Sequence, residues 1–483
     1  LRFARSGADE RLTGMTVMAW MMPSPALAAA IDPLALACAD ESSLPDVDSM
    51  LEKARTLCAT LISKLPPGVE QGKPDPRWYW AAPALLDAES GLVTWCKAPH
   101  GWRALSSADD EDETHFTAHL EQLAAAAEGQ ITLGPQPDDL ALVLALLALA
   151  GPGTCALRAL KRQCPQTPFD NEALLSGAAK IATGFRTLFN MPETIAMLRG
   201  ASEETYWRLT LKYSLDGNLQ SMLDEYVHSL SEAPGLQEFT GEDKANSIAT
   251  QINAVLSLRT SRIQLDALEA SGDAFRRIEF STRCRFALRF GEIRDDHNSA
   301  LVRAEGVRDA FNSPFRPFVL ASTSIGQEGL DFHTWCHAVM HWNLPANPVD
   351  LEQREGRVHR YKGHAVRKNV AHCYGLASLK GFKDGDPWQR LFLLAAQDKP
   401  QAQSDLVPFW IFENGPARVE RRIPLLPYSR EVGKLKRLKQ GLALYRLAFG
   451  QPRQEDLLSS LSRHDRPFDE EIAGQLISLS PPR

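Results

Sequence analysis

The chain has 483 residues and a net charge of −7, with 44% apolar and 23% charged positions. That length exceeds one ordinary hydrophobic core and implies two to four domains, while the composition excludes a fibrous, collagen-like or disordered chain. Charge is divided unevenly. Residues 1–280 hold 23 Lys and Arg against 37 Asp and Glu, and residues 281–483 hold 30 against 23. The basic second part suggests a polyanionic partner that the overall acidic balance conceals, and a solvated surface with unevenly placed lysines is the plainer alternative.

From the N-terminus, residues 1–100 alternate short apolar runs with proline breaks such as "SKLPPGVEQGKPDPRW", which predicts helices joined by turns. "SSADDEDETH", ending at His115, reads as an acidic, solvated linker or helix start. "LALVLALLALAG" from Leu140 is too short to cross a bilayer, so it is expected as a buried helix broken at "GPG", with no membrane partner. Residues 171–230 repeat apolar positions at i, i+3, i+4 and i+7, which predicts a run of helices. "LDEYVH", containing Asp224, sits in that helical pattern, and its acids are expected at the surface.

After residue 230 the pattern changes. "AVLSLRTSRIQLD" and "RCRFALRFG" read as strands, and "ALVRAEGVRDAFN" as a helix. "PFVLASTS", "HAVMHWNLP" and "NVAHCYGL" read as three further strands, with the polar helix "VDLEQREGRVHRYKG" before the last. Strands alternating with helices predict an α/β fold, a parallel sheet covered on both faces, beside a mainly helical N-terminal region and a helical, basic C-terminal tail. The expected divisions are 1–165, 166–250, 251–382 and 383–483. Eight cysteines with no C-x-x-C pair fit reduced thiols in a cytoplasmic protein.

Several constellations invite a chemical reading. His333, Cys336, His337 and His341 have a metal-like spacing, but a strand would aim them to opposite faces, so no metal is expected. In "ASTSIGQEGLDFH" the hydroxyls of Ser322, Thr323 and Ser324 end a strand, where they could hold phosphates without reading bases. In "NPVDLEQREGRVHRYKG" a helix would set Gln353, Arg357 and Arg360 on one face, with Gly356 clearing room beside them. Guanidinium forks that never deprotonate suit a transferring phosphate.

In this order, separated by one strand, the two segments resemble motifs V and VI of superfamily 2 helicases, in the second RecA-like domain of the motor. "HWNLPANPVDLEQREGRVHR" is similar to the Swi/Snf-like translocase branch, where a W-N-P element precedes the Q-x-x-G-R-x-x-R run. The resemblance covers Arg303 to Tyr374. It implies that Ser322, Thr323 and Ser324 touch a nucleic-acid backbone, and that Gly329, Asp331, Gln353 and Gly356 lie at ATP. It also implies that Arg357 and Arg360 are arginine fingers. Implied as well are Mg²⁺, double-stranded DNA as partner, and a first RecA-like domain of the same protein that holds the nucleotide. No G-x-x-x-x-G-K-[ST] loop and no Asp-Glu box occur in the sequence. With Leu1 as first residue, that suggests the C-terminal part of a longer ATP-dependent DNA helicase or translocase, inactive by itself. Tyr361-Lys362-Gly363-His364 departs from the branch, which usually has an apolar residue, Gly and Gln there. The alternatives are a non-enzymatic nucleic-acid-binding module with a degenerate helicase domain, or a scaffold whose acidic helical half docks partners.

Overall fold

A computed structural model describes residues 1–6, 11–39, 45–98, 101–102, 110–200, 202–233, 236, 239–258, 261–271, 274–284, 305–321, 331–382, 384–400, 404–425 and 429–448. Two compact units divide the chain: residues 1–260 with 376–390, and residues 261–375 with 391–483.

The first unit opens with a small antiparallel ribbon, β1 (Ala4–Ser6) with β2 (Arg11–Thr13), and is otherwise helical. Its helices are α1 (Met15–Met21), α2 (Pro25–Ala30), α3 (Pro33–Cys38), α4 (Val47–Ile62), α5 (Trp78–Leu86), α6 (Leu92–Lys97) and α7 (Asp110–Ala127). They continue as α8 (Leu140–Ala150), α9 (Pro152–Gln163), α10 (Glu172–Phe189), α11 (Pro192–Arg199), α12 (Tyr206–Asp216), α13 (Leu219–Ser231) and α14 (Gly241–Leu256). The apolar run from Leu140 is buried almost throughout as α8, and the break falls at Gly151, before the proline that opens α9. Gly153 has a steric reason: a Cβ there would lie 2.1 Å from the Met21 carbonyl oxygen. Small residues on α10 let its neighbours approach in the same way, with Gly177 against Leu160 of α9 and Gly184 against Leu256 of α14. No single helix among the described residues is long and apolar enough to cross a membrane.

The acids of "LDEYVH" are not all at the surface. Asp224 is 7% exposed and ion-paired to Arg162 at 3.0 Å, and Gln220 donates to it at 2.9 Å. The helical spacing was right, but position 224 falls on the stripe that faces α9, where buried Arg162 and Arg158 need acceptors. Arg162 also reaches Asp32 at 2.9 Å, and Arg158 donates to Gln220 at 2.6 Å. Burial raises the Asp224 carboxyl to about 6, with the Arg162 charge and the Gln220 hydrogen bond pulling it down. Close by in the chain, His228 Nδ1 lies 2.6 Å from Asp386, which also accepts from Gln163 at 2.9 Å. That carboxylate holds the later segment 376–390 to the helical unit.

In the second unit β3 (Ser261–Ser271) and β4 (Ala274–Cys284) form a long antiparallel hairpin. Residues 305–311 form α15. Then come β5 (Ala338–Met340), α16 (Pro348–Gly356), α17 (His364–Tyr374), α18 (Pro387–Gln397), whose start lies in the first unit, β6 (Glu420–Arg422) and α19 (Glu431–Ala448). The expected parallel sheet is present among the described residues as one pair only, β5 with β6. Residues 317–321 of "PFVLASTS" take no regular form, and Ser322 to Ser324 lie outside the described residues. "NVAHCYGL" is helical rather than a strand, most of it lying in α17. Its Val370 is buried together with Val366, four residues earlier in α17, which is the spacing of one helical face. The strand beside β5 is instead charged Glu420-Arg421-Arg422, in the part of the chain expected to be a helical tail.

The buried ion pair sets one expectation. Asp224→Ala leaves the buried Arg162 guanidinium with Asp32 as its remaining carboxylate and should cost the helical unit about 3 kcal/mol. Glu52→Ala, which breaks an exposed pair with Arg55, should cost less than about 1 kcal/mol. Urea unfolding followed by circular dichroism compares the two, and equal costs would contradict the buried pairing.

Candidate functional site

The site is built around α16. Asn347 precedes a proline, which holds it extended, and its side chain accepts from the Val349 N–H at 2.9 Å. Pro348 opens the helix and Asp350 complements its positive end. Leu351 buries the inner face against Leu344, Leu438 and Leu442, so α19 covers α16. Outward-facing Gln353 is exposed.

Between those faces lies Glu355, and three elements meet on it. His341, just after β5, donates through Nε2 at 3.1 Å, and Arg421 of β6 donates from Nε at 2.5 Å and Nη2 at 2.6 Å. Burial alone would raise this carboxyl, but the hydrogen bonds from His341 and Arg421 and the Arg421 charge hold it at about 2. Arg354 adds a bond to the Asn343 carbonyl at 2.9 Å.

The helix ends at Gly356, so the expected single helical face is shorter than the sequence suggested. Gln353 and Gly356 lie on α16, Arg357 caps it, and Arg360 follows in a turn beyond it. A Cβ on Gly356 would meet nothing within 4 Å, so the chain's own packing does not require glycine there. The Arg357 carbonyl accepts from the Phe332 N–H at 3.0 Å, which brings residues 331–332 alongside. Arg360 then reaches Asp331, Nε to Oδ1 at 3.0 Å, with 44% and 53% of the two side chains exposed. Asn312, just after α15, steadies this pairing through the Asp331 carbonyl at 2.8 Å. Two residues expected at one site are therefore in direct contact. Ser322, Thr323, Ser324 and Gly329 lie outside the described residues.

Burial lowers His333 and His359 and pushes His364 to about 4, which favours the neutral form of these three rings. No group of three or more His, Cys, Asp or Glu among the described residues is placed to hold a metal ion. Arg367, which the sequence places just past the arginine run, is 1% exposed. Its guanidinium donates to the Lys362 carbonyl at 2.9 Å and the Thr334 carbonyl at 2.6 Å, and covers the Trp335 ring.

Residues 302–362 match the model of the helicase conserved C-terminal domain. Neither a curated protein nor a solved structure matches the chain. The matched segment contains Asp331, Gln353, Gly356, Arg357 and Arg360, and it ends at Lys362. It stops short of Arg367 and Arg421, which hold its loops and helix in place. Sequence reading missed Glu355, His341, Arg421 and Arg367 as supports. Arg421 is 66 residues from Glu355, and no local pattern links them.

Glu355 sets a pH expectation. Its folded pKa lies below the value of about 4.3 for an unfolded glutamate, so the stability it contributes is present above that value. That contribution is lost as pH falls toward about 2. Glu355→Gln should destabilise the second unit by about 2 kcal/mol at neutral pH. The gap from the parent chain should close between about pH 4.5 and 2. Urea unfolding across that range reads it, and a gap that stays constant would count against the pairing.

Proposed function

We propose that this chain is the second RecA-like part of an ATP-dependent DNA translocase or helicase, akin to the Swi/Snf-like branch. What carries the reading is the helicase-domain match across the segment that contains Gln353 and Arg357 and sets Arg360 on Asp331. In this reading a first RecA-like domain, whose phosphate loop and Asp-Glu box are not in this sequence, holds ATP and Mg²⁺. The metal would neutralise phosphate charge.

This chain's own contribution is electrostatic. Arg360 and Asp331 form an exposed pair, and exposed pairs contribute only about 0–1 kcal/mol. Arg360 can therefore exchange Asp331 for a phosphate at little cost. Arg357 and Arg360 would then meet charge that develops on the γ-phosphoryl group as the cleft closes, where a fixed planar donor has its greatest effect. Gln353 and Gly356 would line the nucleotide side, with Gly329 and Asp331 next to it. Ser322, Thr323 and Ser324 would grip the DNA backbone, and the +7 of residues 281–483 would supply its counter-charge. The alternative, a nucleic-acid-binding module without nucleotide chemistry, keeps the same basic surface and leaves Arg360 on Asp331.

One measurement tests where the phosphate loop lies, and a second separates these readings. This chain alone should not hydrolyse ATP, and nucleic-acid-stimulated hydrolysis by it would overturn the assignment of the phosphate loop to another domain. Joined to a domain that supplies that loop, Arg357→Ala or Arg360→Ala should lower turnover on the order of 10³-fold, with Arg357→Lys recovering little. Exposed Lys368→Ala should change it only slightly. Equal, mild losses in all of these variants would favour the module. Arg367→Ala does not serve as a silent control, because that side chain is buried and holds two carbonyls.

DNA binding offers an independent check. Affinity should be sequence-independent and fall steeply with salt as counterions are released, and Thr323→Ala should weaken it by about 1 kcal/mol. Fluorescence anisotropy at several salt concentrations measures both, and sequence-specific binding that ignores salt would contradict this part of the reading.

A further inference from the structure

The turn that carries Arg360 holds an unexpected residue. Lys362 has φ +46°, in the left-handed region that a residue with a Cβ rarely adopts. It is also 8% exposed, an unusual state for a lysine.

Three kinds of contact hold it. Its N–H donates to the Phe409 carbonyl at 2.6 Å. Its carbonyl accepts from Arg367, which is itself fixed to the Thr334 carbonyl. Its ammonium lies 4.3 Å from the Phe392 ring centroid, 5.5 Å from Tyr361 and 5.8 Å from Phe409. The rings brace one another, Phe409 stacking with Phe392 at 6.0 Å and with Tyr361 at 5.9 Å. Cation–π attraction strengthens as the cation is desolvated, so a nearly buried ammonium among three rings is a strong case. Phe392 and Phe409 both lie beyond residue 362, where the family match ends.

We propose that Lys362 is a positioning residue for Arg360, and that the aromatic clasp of Phe392 and Phe409 with Tyr361 fixes the arginine-bearing turn. The Gly363 N–H donates to the Arg360 carbonyl at 3.1 Å, so Lys362 sits inside the same turn. A glycine at 362 would adopt the backbone freely and leave the turn free to open. Lysine takes a disfavoured backbone conformation that persists because the clasp holds it. An arginine meant to meet a transition state must be held within a fraction of an ångström, which a loose turn does not achieve. The inference rests on the arginine-finger reading for its purpose, and its structural claim is tested without nucleotide.

The test is amide hydrogen exchange of the full chain, with peptides covering 357–363 as readout and peptides covering α8 and α9 as internal reference. Lys362→Met keeps the buried stem but removes the charge, Lys362→Gly relieves the backbone, and Lys362→Arg keeps a cation for the rings. Met and Gly should each raise exchange at 357–363 by roughly tenfold, and Arg should stay within about twofold of the parent. Phe392→Ala should reproduce the Met effect and add little to it in the double variant. Unchanged exchange in Lys362→Met overturns the proposal, as does faster exchange that spreads equally into α8 and α9. Arg360→Ala leaves the clasp intact and should not alter exchange at 361–363. Its turnover tests the finger reading separately.

Discussion

Glu355 is the hinge of the second unit's construction. One half-buried carboxylate joins the strand β5 through His341, the strand β6 through Arg421, and the helix α16 on which it sits. With only one parallel pair of three-residue strands among the described residues, backbone pairing contributes little here. The carboxylate therefore sets how α16 lies against the strands, and with it the direction in which Gln353 and Arg357 leave the helix. A neutral side chain at 355 would leave the Arg421 guanidinium without its bidentate acceptor, the arrangement that gives such pairs their directional strength.

The helical unit relies on the same chemistry at greater depth. Arg158, Arg162, Gln220, Asp224 and Asp32 form a connected set in which each buried cation finds more than one acceptor. Such sets contribute less to net stability than an apolar core of equal volume, but they leave few alternative packings. The Asp386 carboxylate extends this logic to residues distant in sequence, since it accepts from His228 and Gln163 and also caps α18.

Legibility in the sequence followed the range of the responsible interaction. Helices α8 to α13 were readable because 3.6-residue periodicity and Pro or Gly punctuation are local signals. Strand β5 was readable, and β6 was not, because a charged triplet has no strand signature until its partner is known. The stretch from Asn369 resembles a strand because it is short and apolar around Val370, and the helical clue, buried Val366 four residues earlier, lies outside it. At the site, residue types and spacing pointed to Arg357 and Arg360, and the helicase-domain match covers both. Their geometry was not readable: Gly356 ends the helix, and Arg360 is turned back onto Asp331. Arg367 lies in the same basic run as exposed Lys368, and only packing distinguishes the two.

The parallel pairing of β5 with β6 has a consequence for synthesis. A ribosome releases α16 and the arginine turn well before Arg421, 66 residues after Glu355, has been made. Phe392 and Phe409 emerge in the same interval. The arginine segment therefore spends that time on the nascent chain without the strand, the carboxylate partner or the rings that later surround it. Translating that interval takes seconds, far longer than helix formation, so α16 can form early while its orientation is among the last things settled. The order of translation thus delivers the arginine-bearing turn first and its restraints last.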